Sequence, residues 1–132
     1  MVHNDISAET LMSYLEEVIE LNRKIPILVE GKKDKKSLKE LGFKGKMYGM
    51  NVGLPISELA EQIGREDKKI ILLTDWDDTG ERLFLKMKSL LMANDVKVVT
   101  SVRRDLEVLS RKYAKDVESL PKALEAMNKS QA

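Results

Sequence analysis

At 132 residues the chain can bury one core but hardly two, so a single domain is expected over residues 1–132. Its net charge of +1 excludes attachment to a polyanion through the overall field, leaving only a local patch for that purpose. Zero cysteines exclude disulfides and thiolate metal sites, and no apolar run nears the roughly 20 residues that cross a bilayer.

The opening "MVHNDISAETLMSYLEEV" lacks the basic and apolar regions of a signal peptide, so a cytoplasmic protein is expected; His3 receives no role. Ser7 is placed to cap a helix whose apolar positions Leu11, Leu15, Val18 and Ile19 follow helical spacing. "IPILVE", Ile25 to Glu30, predicts a short buried strand closed by Gly31. "KDKKSLKELGF" predicts a helix with Leu38 and Leu41 inward and Gly42 at its end. "KMYGMN" is a weak strand, and "PISELAEQI" a helix opened by Pro55. "KKIILLTD" is the strongest strand. Asp78 to Asn94 is the strongest helix, with Leu83, Phe84, Met87, Leu90 and Leu91 on one face. "VKVVTSV" predicts a fourth strand, and Asp105 to Lys129 two short helices divided near Val117 to Pro121. The last residues, "NKSQA", are expected to fray.

Buried strands alternating with amphipathic helices predict an α/β fold, a mainly parallel sheet of about four strands with helices on both faces. Ligands of such sheets bind beyond the carboxyl ends of the strands. Glu30 stands there after the first strand, and Asp75 with Asp77 after the third.

Side chains alternate along an extended segment, so Asp75 and Asp77 can point one way while Trp76 points the other. Two such carboxylates repel, and a divalent cation relieves them. Mg²⁺ suits the pair, since it takes oxygen ligands and commonly uses one or two carboxylates with waters and phosphate oxygens; Mn²⁺ is a natural substitute. Thr79 and Gly80 then open a helix whose N-terminal amides favour an anion. The competing reading makes Asp77, Asp78 and Thr79 simple helix caps. It gives no job to Asp75 or Glu30, each ending a buried strand.

"ILVEG", followed by Asp34 and Leu38, and then "TDWDDTGERL" together resemble the two signatures of the Toprim domain. That domain occurs in topoisomerases, bacterial-type primases, overcoming-lysogenization-defect-type nucleases and ribosomal-RNA maturation nucleases. Glu30 matches its glutamate, Asp75 and Asp77 its aspartate pair, and Gly80 its glycine. Gly31, Asp34 and Asp78 stand beside them as supporting positions. The likeness runs from about Lys24 to Thr100. It implies a Rossmann-like sheet, Mg²⁺ on Asp75 and Asp77 with Glu30 close enough to join, and Glu30 as general acid or base. Asp75-x-Asp77-x-Thr79 also resembles the nucleophile motif of haloacid-dehalogenase-type phosphatases, with Asp75 as nucleophile. Those enzymes carry further catalytic segments downstream, which this chain does not show, and Glu30 would then have no part.

Lys32 and Lys33 follow the first strand, Arg103 and Arg104 the last, and Arg82 lies one turn into the long helix. Each is a candidate phosphate contact, the way a nearly neutral protein binds RNA or DNA locally. Aromatic content of 5% leaves little for base stacking. Asn51 could line the site, or serve a turn equally well. Three functions stay open: a Mg²⁺-dependent nuclease or phosphotransferase; a non-catalytic metal- and nucleic-acid-binding module of a larger processing machine; and the small-molecule phosphatase.

Overall fold

Ile70, Ile71, Leu72 and Leu73 are wholly buried, and each contributes roughly 1.5–3 kcal/mol by leaving water. They make up β3 (Lys69–Leu72) and its continuation in the computed structural model, which describes residues 6–130. His3, Gln131 and Ala132 lie outside those residues. β3 lies between β1 (Ile27–Val29) and β4 (Lys97–Val99), and β2 (Met47–Gly49) pairs with the far side of β1. All three pairings are parallel, in the order β2-β1-β3-β4.

Alternate side chains go to opposite faces. Ile27, Val29, Ile71 and Leu73 pack with residues of α1 (Ala8–Asn22), α2 (Lys32–Glu40), α5 (Ser101–Ser110) and α6 (Leu120–Ser130). Leu28, Ile70 and Leu72 pack with α3 (Ile56–Glu66) and α4 (Asp78–Ala93). A sheet covered on both sides needs continuous apolar runs, which is why β1 and β3 lack polar alternation. The result is the Rossmann-like α/β arrangement. From β1 the chain crosses outward to β2, and from β3 outward to β4. The crevice of the sheet therefore opens above the carboxyl ends of β1 and β3.

Local chemistry sets the helix ends. Ser7 Oγ accepts the Thr10 amide at 3.0 Å and caps α1. α2 stops through paired bonds, Gly42 N–H to Lys39 O and Phe43 N–H to Leu38 O, with Gly42 at φ +108°. Only glycine adopts that backbone freely, so Gly42→Ala should destabilise the protein by about 1 kcal/mol, read from a denaturant midpoint.

The fourth strand is shorter than "VKVVTSV" suggests. It ends at Val99, and Ser101 already opens α5, four residues before Asp105. Val102 and Leu106, four apart, are buried while Arg104 is exposed, a helical pattern that a short apolar run conceals. α6 continues in regular helix through Asn128, Lys129 and Ser130, where fraying was expected. No helix among the described residues is long and apolar enough to cross a membrane.

Candidate active site

Parallel pairing of β1 with β3 brings two loops together at the carboxyl edge of the sheet. Glu30 follows β1, and its Oε2 accepts the Asp75 amide at 2.7 Å. The sequence separation of 45 residues is thus closed by one short hydrogen bond. Asp75 in turn accepts the Val117 amide on Oδ1 at 2.9 Å. Asp34, buried in the first turn of α2, accepts the Gly31 amide at 2.9 Å.

Asp77 differs from its partner. It is the N-cap of α4, with Oδ1 accepting the Gly80 amide at 2.7 Å, so capping accounts for it as the competing reading holds. Among the described residues no three acidic, histidine or cysteine side chains form a group able to hold a metal ion. What the fold assembles is Glu30 bonded to the Asp75 amide, with Asp77 two residues further along the chain. One or two carboxylates still meet the needs of Mg²⁺, which fills its other positions with water or phosphate oxygens.

Gly80 explains how the second loop is made. A Cβ there would overlap the Asp75 carbonyl group. The Thr74 hydroxyl donates to Gly80 O at 2.8 Å, tightening the turn from β3 into α4. Asp78, exposed at the start of α4, adds negative charge where the helix amides favour it.

The site is negative and uncompensated. No ion pair among the described residues involves Glu30, Asp34, Asp75 or Asp77. Burial pushes the Asp75 carboxyl up to about 7; the Val117 amide opposes the shift, and the charges of Glu30, Asp34 and Asp116 add to it. Burial raises Asp34 as well, reinforced by Glu30, Glu118 and Asp116. Asp116 and Glu118 were missed by sequence reasoning; they reach the site from the segment between α5 and α6, with no local signal.

A raised acid binds its proton more tightly folded than unfolded. Its contribution to stability is therefore lost as pH climbs from the ordinary 3.8 through about 7. Asp75→Asn, which still accepts the Val117 amide, should be more stable than the wild type at pH 8 by a few degrees in Tm. The two should converge near pH 4. Solvent screening of this half-exposed group keeps the gap small. Thermal melts across that range, without divalent cation, check the sign.

The basic residues divide. Lys32 and Lys33 are exposed at the N-terminus of α2, directly after Gly31. Arg82 is exposed on the first turns of α4, 3.4 Å from Thr79 Oγ1. Arg104 is exposed and sits 3.6 Å from Asp105. Arg103 departs from expectation: it is 6% exposed and faces inward. It donates to Thr74 O at 3.2 Å and to Asp75 O at 3.0 Å, pairs with Glu81 at 2.9 Å, and stacks on the Phe84 ring. With its nitrogens so committed it holds up the Asp75 loop and does not serve as a surface phosphate contact. A cation that the sequence reading left out is Lys35. Side chains of Lys35 and Asn51 both lie against Gly49, and Asn51 also lies against Gly31, beside the carboxyl ends of β1 and β2.

Comparison with known proteins agrees with this geometry. The family model described as the Toprim domain matches residues 25–104, which holds both acidic loops. A UPF0292 protein of Methanosarcina barkeri is 36% identical over 112 residues, covering 85% of this chain and 76% of its own length. A UPF0292 protein of Methanocaldococcus jannaschii is 35% identical over 114 residues, covering 85% and 88%. A solved structure titled a putative protein from Aquifex aeolicus superposes with a TM-score of 0.71 at 29% identity, over 82% of this chain and 95% of that one. The chain belongs to the Toprim family.

Proposed function

We propose that the protein carries out Mg²⁺-dependent phosphodiester chemistry on RNA or DNA, nuclease-like or a related phosphotransfer. The observation that carries this reading is Glu30 held at 2.7 Å on the Asp75 amide at the crevice of the sheet, with neither acid in an ion pair among the described residues. Asp75 and Asp77 would hold the cation, which when bound offsets charge building on the phosphate as the bond breaks. Glu30 is fixed through Oε2 by the Asp75 amide, leaving Oε1 to take or give a proton. Lys32 and Lys33 sit one turn from Glu30 and suit the flanking phosphates, with Arg82 on the α4 side.

The test is to incubate structured RNA, single-stranded DNA and duplex DNA with the protein, with and without Mg²⁺ or Mn²⁺. Cleavage or strand transfer that needs the cation supports the proposal. Cation-dependent binding without product favours an accessory module in a larger processing complex. Hydrolysis restricted to small phosphate monoesters favours the phosphatase.

Backbone binding has its own signature. Reversing charge at Lys32 and Lys33 together should weaken binding and flatten the salt dependence by roughly 1.4–1.8 in slope. Nitrocellulose retention across a salt series would measure it, and an unchanged slope would move the phosphate contacts off α2.

A further inference from the structure

The family match ends at residue 104, yet the chain beyond it returns to the site. Between α5 and α6, residues 111–119 lie alongside the Asp75 loop and bond to it repeatedly. Trp76 Nε1–H donates to Ala114 O at 2.8 Å, and the Trp76 amide to Lys115 O at 3.2 Å. Two residues on, the Val117 amide donates to Asp75 Oδ1. On the other side the Ser37 hydroxyl of α2 donates to Glu118 O at 2.9 Å.

We propose that residues 111–119 are a positioning clamp for the Asp75 carboxylate, and that Trp76 locks the clamp in place. The inference rests on the reading that Asp75 holds the cation. Asp75 lies past the end of β3, so no ladder bond fixes its backbone there. Arg103 holds its carbonyl and Glu30 its amide, but neither sets the side chain. The Val117 amide does, by engaging Oδ1 and leaving Oδ2 as the ligand oxygen. That amide stays in register only if the clamp is held at a fixed height against Trp76.

Core packing alone holds the segment loosely in register. Ala114 and Val117 are buried in the α1-side core, and Trp76 packs against the same cluster. Apolar contact is indifferent to a small slide, whereas the two Trp76 bonds are not. An unclamped carboxylate would have to be ordered by the cation itself, which lowers affinity by several-fold to about 10-fold.

Trp76→Phe keeps an aromatic ring against the core and the main-chain bond to Lys115 O, and deletes the Nε1 donor together with part of the indole's packing volume. Two readouts are taken on the full chain: amide exchange at Val117 by NMR, and Mn²⁺ affinity by titration. The expected result is Val117 exchange at least about 10-fold faster with α1 and α4 unaltered, together with Mn²⁺ affinity about 5–10-fold weaker. Mn²⁺ affinity within twofold of wild type would overturn the proposal, as would unchanged exchange at Val117. Should Trp76→Phe fail to fold, Ser37→Ala loosens the same segment at Glu118, and the same two readouts decide. If the wild type itself binds no Mn²⁺, the metal reading of Asp75 fails, and exchange at Val117 alone reports whether Trp76 locks the segment.

Discussion

Glu30→Gln should lose about 10²–10⁴-fold in turnover, roughly 3–5.5 kcal/mol of transition-state stabilisation, while keeping most of its affinity for Mn²⁺. Glutamine preserves the length of the side chain and an oxygen to accept the Asp75 amide, so the loop stays where it is. It cannot take up a proton at the working pH. Asp75→Asn and Asp77→Asn should instead lose cation affinity together with activity, because each replaces an anionic oxygen by a neutral one. Single-turnover rates at saturating Mg²⁺, alongside Mn²⁺ titrations, separate the two outcomes. Wild-type turnover in Glu30→Gln, or a phosphorylated Asp75 trapped from a small monoester, would refute the assignment and install the phosphatase mechanism.

Gly80→Ala should be the most damaging single methyl that can be added near the site. The new Cβ would meet the main-chain carbonyl of Asp75, which cannot swing aside as a flexible side chain could. Overpacking of this kind costs about 1–3 kcal/mol, and a backbone obstacle puts the cost near the top of that range. The displaced atoms are also the ones that matter. Thr74 loses its bond to Gly80 O, the Gly80 amide moves off Asp77, and Arg103 loses its seat on Asp75 O. A fall on the order of 10 °C in Tm is expected, with Mn²⁺ affinity reduced in the material that remains folded. A melting curve superimposable on the wild type would show that the Asp75 loop is softer than its contacts imply.

The acids were legible because their signal is local: a carboxylate directly after an apolar strand, twice in order. The same local view could not divide the labour between them. Asp77 follows β3 as Asp75 does, but only the folded helix shows that one of its oxygens, Oδ1, accepts the Gly80 amide. Arg103 and Arg104 look alike in sequence, and a one-residue step around α5 sends one into the protein and leaves the other in water. The bonds from Arg103 and Val117 to Asp75 cross 28 and 42 residues, distances at which periodicity and turn chemistry carry no information. Lys35 was hidden within a run of lysines whose partition between faces depends on where α2 begins.

The parallel order β2-β1-β3-β4 also governs when the site can exist. No neighbouring pair in the sheet is joined by a hairpin; each is bridged by a helical crossover, and β1 meets β3 only after β2 and α3 have been made and set aside. Contacts of such long sequence separation carry a loop-closure cost that slows the approach to the native state. Residues 111–119 then arrive from further still. A growing or half-folded chain therefore offers Glu30 and Asp75 as separate, well-solvated acids with no special hold on a divalent ion. Only the finished sheet brings them together, so the acidic site is complete only once β1 has paired with β3.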